Sequence, residues 1–188
     1  MRIIAGEYKG RTLRTGSGPG YRPATGKVRE SLFSMLEARG VDWSGINVLD
    51  LFAGSGALGF EALSRGAKSA LFIEKSSRAC AIIRQNIFML GIGGQRARVI
   101  NTDAITFLNK QVRGSFDLVF VDPPYGMDLA RPALDGLLKT GLLSEDALIS
   151  AEIEKNLPLE SRFLAGLNLI KDKHFGQTRI LIWKKKQE

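Results

Sequence analysis

Histidine and cysteine are nearly absent from this chain of 188 residues: His174 is the only histidine and Cys80 the only cysteine. A single cysteine excludes an intramolecular disulfide and fits a reducing compartment, where we expect Cys80 to be a buried thiol in a helix. Without histidine or cysteine partners, no metal site of familiar spacing is predicted. No stretch approaches the roughly 18 apolar residues of a membrane span. No signal-peptide pattern follows Met1, so we expect a cytoplasmic protein.

The chain carries a formal net charge of +8, and this charge is unevenly distributed. Residues 1–29 contain seven basic residues and one acidic residue, residues 184–188 contain three and one, and the remainder is neutral. A clustered basic segment is typical of proteins that bind the phosphates of nucleic acids. The lysines at the C-terminus are more simply interpreted as a frayed polar tail.

The basic N-terminal segment has the pattern of a short β-hairpin. Apolar and basic residues over 2–5 and 11–14 flank a turn bounded by glycines, and apolar residues over 28–38 recur at helical spacing. We predict an RNA-binding extension over residues 1–27, followed by the main domain over residues 28–188. The basic side chains expected to contact RNA are Arg2, Lys9, Arg11, Arg14, Arg22 and Arg29. The alternative is a hairpin that only covers an edge of the sheet.

Apolar runs rich in β-branched residues alternate with helical periodicity through the rest of the chain. Seven strands are predicted: the first runs from residue 46 into a glycine turn, and the others lie at residues 69–73, 97–101, 116–121, 148–153, 167–173 and 178–183. One helix is predicted to begin near Ala57, a second covers residues 76–89, a third ends at about Asn109, and a fourth lies around residues 129–139. This order is typical of an α/β protein whose mostly parallel sheet carries helices on both faces, and the last two strands are predicted to form an antiparallel hairpin.

A glycine-rich turn follows the first predicted strand. Gly54, Gly56 and Gly59 have the G-x-G-x-x-G spacing, which allows a tight turn and a close approach of the backbone to a ligand. Glu74 ends the next strand about 20 residues beyond the first glycine, where an acidic side chain hydrogen-bonds a ribose diol. The pattern predicts a nucleoside-cofactor site, but by itself it does not separate a dinucleotide from another adenosyl ligand.

Asp50 favours one class of cofactor, because it lies just before the glycine turn. A carboxylate at this place is unfavourable beside a pyrophosphate and favourable beside a cation. S-adenosylmethionine has an ammonium group, a sulfonium group and no phosphate, so it is the predicted cofactor. The alternative interpretations are a strand-end aspartate that bonds its own turn and, for Glu74, a solvated helix cap.

The tetrapeptide at residues 122–125, Asp-Pro-Pro-Tyr, follows an apolar strand and is the most informative motif. The Asp122 carboxylate and the Pro123 carbonyl are two acceptors that can hold a planar exocyclic amino group, and Tyr125 offers a stacking face. Such an amine is a poor nucleophile, and hydrogen bonds from its protons return electron density to the nitrogen. A plain strand-ending turn is the alternative interpretation.

Four acidic residues end predicted strands: Asp50, Glu74, Asp103 and Asp122. Because the carboxyl ends of parallel strands meet at one edge of a sheet, we expect these four side chains to share one cleft.

The chain resembles the bacterial RsmD family over nearly its whole length. The resemblance rests on the motifs at residues 1–6, 22–25, 28–33, 50–59, 74–75, 103–104 and 122–125. It implies a Rossmann-like class I S-adenosylmethionine-dependent methyltransferase that methylates N2 of a guanine in 16S ribosomal RNA. It further implies a monomer that acts on a partly assembled 30S particle. Residues 24–26, Ala-Thr-Gly, depart from the Thr-Thr-Asp-like run expected in the family.

The resemblance also implies roles for individual residues. Asp122, Pro123 and Tyr125 would be catalytic, and Asp103 would hydrogen-bond the adenine amino group of the cofactor. The cofactor-binding set would be Asp50, Phe52, Gly54, Gly56, Glu74, Lys75, Asp103, Ala104 and Asp122.

The expected mechanism is direct transfer of a methyl group to an amino nitrogen of a flipped-out base, without a covalent nucleophile. A DNA adenine-N6 or cytosine-N4 methyltransferase would share every catalytic motif, although 188 residues leave no room for a large target-recognition region. An NAD-dependent oxidoreductase would explain only the glycine pattern, and an RNA-binding module without catalysis would explain only the basic segment.

Overall fold

The computed structural model describes residues 1–16, 26–110, 114–157 and 165–186. Along the chain the elements are α1 (Gly26–Glu37), β1 (Asn47–Asp50), α2 (Ala57–Arg65), β2 (Ser69–Glu74), α3 (Ser77–Leu90), β3 (Ala97–Asn101), α4 (Ala104–Leu108), β4 (Phe116–Val121), α5 (Ala130–Lys139), β5 (Leu143–Glu154), β6 (Leu167–Phe175) and β7 (Thr178–Lys185). Arg22 lies outside these ranges. Among the helices described, none has the length and apolar character needed to span a bilayer.

The seven strands form one sheet in the order β3-β2-β1-β4-β5-β7-β6. Strands β1 to β5 are parallel, and β7 pairs antiparallel with both β5 and β6. The predicted seven-stranded, mostly parallel sheet is confirmed. The strand order reverses between β1 and β4, so a ligand cleft is expected beyond their carboxyl ends.

Strand β5 begins five residues before its predicted start at Leu148, because Leu143 also pairs with β4. The pairing register of β4 and β5 shifts between the Phe116–Leu143 pair and the Leu118–Leu148 pair, and this irregularity accommodates the extra residues of β5. An irregularity of this kind breaks the period-two pattern on which the prediction rested.

Two apolar cores cover the two faces of the sheet. On one face, α1, α2 and α3 pack with the N-terminal segment, and Phe33 of α1 lies with its ring centroid 5.7 Å from that of Phe120 of β4. On the other face, α4 and α5 pack against Val119, Val121 and Ile149. Helices therefore lie on both faces of the sheet, as the alternating pattern predicted.

The first 16 residues, called here the arm, form a hairpin-like turn that packs against the helices. The only antiparallel bridge described in the arm joins Arg2 and Thr12, so the predicted hairpin exists but has no extended ladder. Ile3, Tyr8 and Leu13 are buried in the same core as α1 and α2. The predicted boundary at residue 27 falls inside α1, and the division into two parts stays a prediction.

Buried polar side chains of α2 hold the arm in place. The carboxylate of Glu61 accepts hydrogen bonds from the amides of Ile4 and Ala5, at 2.8 and 3.1 Å. The hydroxyl of Ser64 accepts one from the amide of Tyr8 at 2.9 Å. The arm therefore lies across a helix, and the alternative in which it covers a sheet edge does not describe its position.

Candidate active site

The glycine turn between β1 and α2 requires glycine for two reasons. Gly54 and Gly56 have φ angles of +54° and +81°, a conformation that side chains with a Cβ rarely adopt. A Cβ on Gly59 would lie 2.3 Å from the ring of Phe72, so the helix could not approach β2 so closely. The G-x-G-x-x-G spacing therefore sets both the turn and the packing of α2 on the sheet.

Asp50 and Glu74 fix this turn from the ends of β1 and β2. The carboxylate of Asp50 accepts a hydrogen bond of 3.2 Å from the amide of Gly59. Glu74 accepts one of 2.8 Å from the amide of Gly54 and one of 2.7 Å from the amide of Ser76. Each carboxylate offers about four lone-pair sites, so these bonds leave acceptor capacity for a ligand.

The remaining predicted cofactor residues lie around the same strand ends. Phe52 is half-buried two residues beyond the end of β1, and Lys75 is exposed directly after β2. Asp103 follows β3 and caps α4 by accepting a hydrogen bond of 3.0 Å from the amide of Thr106. Ala104 is buried at the first position of that helix. The strand ends thus bring the predicted cofactor set to one edge of the sheet.

Asp122 lies at the centre of this edge, directly after β4. Burial raises the pKa of its carboxyl well above the usual range, and the negative charges of Glu152 and Asp50 raise this pKa further. Burial, with a smaller contribution from Glu74, raises the pKa of Asp50 to about 7, although the amide of Gly59 opposes the shift. A cationic ligand would reverse these shifts, because it favours the ionised carboxylates.

Glu152 is a residue of this site that the sequence reasoning missed. It lies on β5 beside Asp122, because Ala151 pairs with Val121 and the next residues of both strands point to the same face. Glu152 is 8% exposed, and its Oε2 has no hydrogen-bond partner. Burial raises its pKa to about 7. An acidic residue inside the apolar run of β5 was a signal that could have identified it.

The loop after β4 is tied to the antiparallel edge of the sheet. The hydroxyl of Tyr125 shares a hydrogen bond of 2.7 Å with that of Thr178, and the amide of Gly126 donates to the carboxylate of Glu154. Tyr125 is 38% exposed. Beside it lies a cavity of about 210 Å³ lined mainly by residues of the β4 and β5 ends, including Pro123 and Glu154. The Tyr125 ring is thereby fixed beside an opening.

The predicted RNA contacts fall into two groups. Arg2, Lys9, Arg11 and Arg14 are exposed on the arm. Arg29 is only 3% exposed: its guanidinium donates to the carbonyl of Arg2 and lies 4.0 Å from the carboxylate of Glu61. The prediction that Arg29 contacts RNA does not fit this burial, because the side chain is used to attach α1 to the arm.

Comparison with known proteins identifies the family. The family model described as Conserved hypothetical protein 95 matches residues 1–184. Ribosomal RNA small subunit methyltransferase D of Haemophilus influenzae is 41% identical over 160 residues, which are 85% of this chain and 81% of the relative. The protein of the same name from Escherichia coli K12 is 38% identical over 190 residues, covering 100% of this chain and 91% of the relative. This chain belongs to the RsmD family.

Solved structures of proteins with similar sequences share this fold. The Escherichia coli protein yhhF, a putative methyltransferase, superimposes with a TM-score of 0.85 at 35% identity, covering 100% of this chain and 99% of that one. A hypothetical protein of Thermus thermophilus has a TM-score of 0.79 at 30% identity, with 97% and 98% covered. As a member of the RsmD family with this sheet, the chain is a methyltransferase with the predicted Rossmann-like fold.

Proposed function

We propose that this RsmD-family protein transfers a methyl group from S-adenosylmethionine to the N2 amino group of a guanine in 16S ribosomal RNA. The observation that carries the proposal is the position of three carboxylates at one edge of the sheet: Asp50 and Glu152 are buried there, and Asp122 begins the Asp-Pro-Pro-Tyr loop. The raised pKa values of these carboxyls agree with a site for a cationic ligand. The names of the relatives from Haemophilus influenzae and Escherichia coli support a small-subunit RNA as substrate.

The residues around the glycine turn fit an adenosyl cofactor with a positive charge. Asp50 would face the cationic part of the cofactor, Glu74 the ribose hydroxyls, and Asp103 with Ala104 the adenine. Phe52 and Lys75 would flank the adenosyl group from the ends of β1 and β2. When bound, S-adenosylmethionine supplies an electrophilic methyl group on a sulfonium, which an amine attacks in line.

The Asp-Pro-Pro-Tyr loop would hold the amine that attacks. Asp122 and the carbonyl of Pro123 accept hydrogen bonds from the two N–H groups of this amine. These hydrogen bonds fix the nitrogen and return electron density to it. Tyr125, positioned by Thr178, would stack on the base turned out of the RNA. The methylated nitrogen is acidic, and its proton passes to Asp122 or to water, so no covalent intermediate is needed.

The experiment is methyl transfer from labelled S-adenosylmethionine to small-subunit RNA of cells lacking this gene, followed by nucleoside analysis. We expect one methyl group per RNA molecule, recovered as N2-methylguanosine, and better transfer to partly assembled 30S particles than to stripped RNA. Equilibrium binding of S-adenosylmethionine and NAD gives the control, because only the first should bind. Recovery of N6-methyladenine from DNA, with no labelled guanosine, would contradict the proposal and favour the DNA methyltransferase alternative.

A further inference from the structure

We call the site around Asp50, Glu74, Asp103 and Asp122 the strand-end cleft. Outside it, helix α3 presents an aromatic side chain to solvent. Phe88, near the end of α3, is 87% exposed, and it has the largest exposure among the exposed large apolar side chains of the described residues. Its neighbour Met89 is 40% exposed. The apolar side chains of Cys80 and Ile83 anchor α3 in the core. The Phe88 side chain therefore contributes little to the core and is accessible to a ligand.

The surroundings of Phe88 are basic. Arg84 lies one helical turn before Phe88 on the same side of α3. The guanidinium of Arg11 donates to the carbonyl of Met89 at 2.7 Å, and that of Arg14 donates to the side chain of Gln85 at 3.2 Å. We call Phe88, Arg84, Arg11 and Arg14 the arm–helix surface.

The sequence around this helix contains no negative charge. Residues 75–102 include no aspartate or glutamate, and their basic residues are Lys75, Arg78, Arg84, Arg96 and Arg98. The acid of the arm, Glu7, is 3.4 Å from the guanidinium of Arg96. Acidic residues elsewhere in 30–183 balance this local excess, so that segment is neutral as a whole. A polyanion is the complementary partner for such a surface.

The arm–helix surface is also connected to the glycine turn. The side chain of Asn86 accepts a hydrogen bond from the amide of Arg14 at 2.8 Å and donates to the carbonyls of Arg14 and Ser55 at 3.0 and 3.2 Å. Asn86 is fully buried, so the arm, α3 and the turn are held as one unit. α3 begins at Ser77, next to the end of β2. At a rise of about 1.5 Å per residue, Phe88 lies about 16 Å further along the helix axis.

We propose that Phe88 stacks on an unpaired base of the RNA substrate, while Arg11, Arg14 and Arg84 contact the adjoining phosphates. The proposal rests on the proposed function for the identity of the substrate, and it adds a contact away from the methylated nucleotide. An exposed aromatic ring among basic side chains is the arrangement that binds single-stranded RNA. The basic side chains near Phe88 and the absence of acidic residues over 75–102 favour a polyanion over a protein partner.

The test measures RNA affinity of the full chain with a protein-free fragment of small-subunit RNA. Phe88→Ala should weaken the Kd for RNA by roughly 5- to 150-fold, the range for one stacked base. The salt dependence of binding and the affinity for S-adenosylmethionine should stay the same, because stacking involves no phosphate. Leu169→Ala, at a 40% exposed side chain of β6, is the matched control and should bind RNA like the wild type.

Conservative variants separate stacking from apolar docking. Phe88→Trp should restore RNA affinity and Phe88→Leu should not, since only an aromatic ring stacks on a base. Arg84→Gln should flatten the plot of log affinity against log salt by about 0.7, the value for one single-strand phosphate contact. Because Phe88 is exposed, none of these variants should change the melting temperature appreciably.

Three outcomes would overturn the proposal. Phe88→Ala could bind RNA like the wild type, Phe88→Leu could bind as well as Phe88→Trp, or the defect could occur only with particles that carry ribosomal proteins. The last outcome would assign Phe88 to a protein partner. If the proposed function is wrong, the wild-type protein will yield no N2-methylguanosine. The RNA affinities of the Phe88 variants can still be compared in that case, so the two failures are distinguishable.

Discussion

The strand-end cleft and the arm–helix surface are opposite in charge and in burial. The cleft holds the buried Asp50 and Glu152 and the partly buried Asp122, whose carboxyls all have raised pKa values. The arm–helix surface holds exposed arginines around the exposed ring of Phe88. Negative charge placed out of water suits a cationic cofactor and an amine, whereas positive charge placed in water suits a phosphate backbone.

This difference predicts separate kinetic signatures for the two regions. A change in the cleft acts on the reacting groups, so it should lower kcat or alter its pH dependence. A change on the arm–helix surface acts on association, so it should alter KM and its salt dependence while kcat at saturating RNA stays constant. Variants of each region can test this separation.

The largest effect is expected for Asp122→Ala, which removes the acceptor that positions the amine. Methyl transfer should fall by roughly two to four orders of magnitude, the range for a positioned catalytic polar group. The affinity for RNA should change little, because the arm–helix surface is intact. Single-turnover transfer and RNA binding are the measurements, and Asp135→Ala, at a half-exposed site on α5, is the control. Turnover of Asp122→Ala near that of the wild type would remove Asp122 from the mechanism.

A large effect on stability is expected for Gly6→Ala, which tests whether the arm is a packed part of the molecule. A Cβ at Gly6 would lie 1.8 Å from the backbone oxygen of Ser64, so the arm would have to leave α2. Gly10→Ala is the matched control: its φ of +79° is similar to the +84° of Gly6, but a Cβ there meets no atom within 4 Å. We expect Gly10→Ala to cost about 1 kcal/mol in the free energy of unfolding and Gly6→Ala several times more. Equal losses in urea unfolding would show that the contact between arm and α2 is weak.

The positions of the acids at the strand ends were predicted well because their signals are local. An apolar run with an acid at its end determines both a strand and the position of the carboxylate, so Asp50, Glu74, Asp103 and Asp122 could be placed on one edge before any contact was known. Glu152 was missed because its importance depends on the pairing of β5 with β4, which is separated from it by α5.

The arm was predicted less well because its contacts are long-range. Its partners Glu61, Ser64 and Asn86 lie 56 to 72 residues away in sequence, and no local pattern marks them. Arg29 was predicted to contact RNA because of the total charge of residues 1–29. Its position three and seven residues before the buried Leu32 and Leu36 places it on the apolar side of α1, and this spacing was the overlooked signal.

The pH dependence should distinguish the buried acids from the exposed bases. Asp50 titrates at about 7 in the folded protein and at its ordinary value, 3.8, in the unfolded chain. Without cofactor, the native state therefore binds more protons, so stability should fall as the pH rises from about 4 through about 7. Cofactor affinity should instead increase with pH, by up to about tenfold per pH unit below pH 7, because a cationic cofactor requires ionised Asp50. Asp50→Asn should reduce both trends in thermal melts and cofactor titrations; an unchanged pH dependence would contradict the assignment.

Glu152→Gln is predicted to have a smaller effect, limited to the acid side of the pH–rate profile. The charge of Glu152 raises the pKa of Asp122, so its removal should lower that pKa and keep Asp122 ionised at lower pH. The acid limb of kcat/KM should move to lower pH, while the rate above the limb changes little. Glu145→Gln, at an exposed position of the same strand, is the control. An unshifted limb together with a lower rate at every pH would mean that Glu152 only supports the packing of β5.

The smallest effect is expected for Arg14→Gln on the arm–helix surface. Its backbone bonds to Asn86 do not involve the guanidinium, so the arm should stay in place and only one positive charge is lost. The slope of log RNA affinity against log salt should flatten by about 0.7, and kcat at saturating RNA should be unchanged. Arg131→Gln on α5, at an exposed arginine 4.0 Å from Asp135, removes the same charge from the opposite face of the sheet and should leave the slope unaltered. If both variants flattened the slope equally, RNA would be attracted by the net charge of +8 as a whole, and the separation between cleft and arm–helix surface would fail.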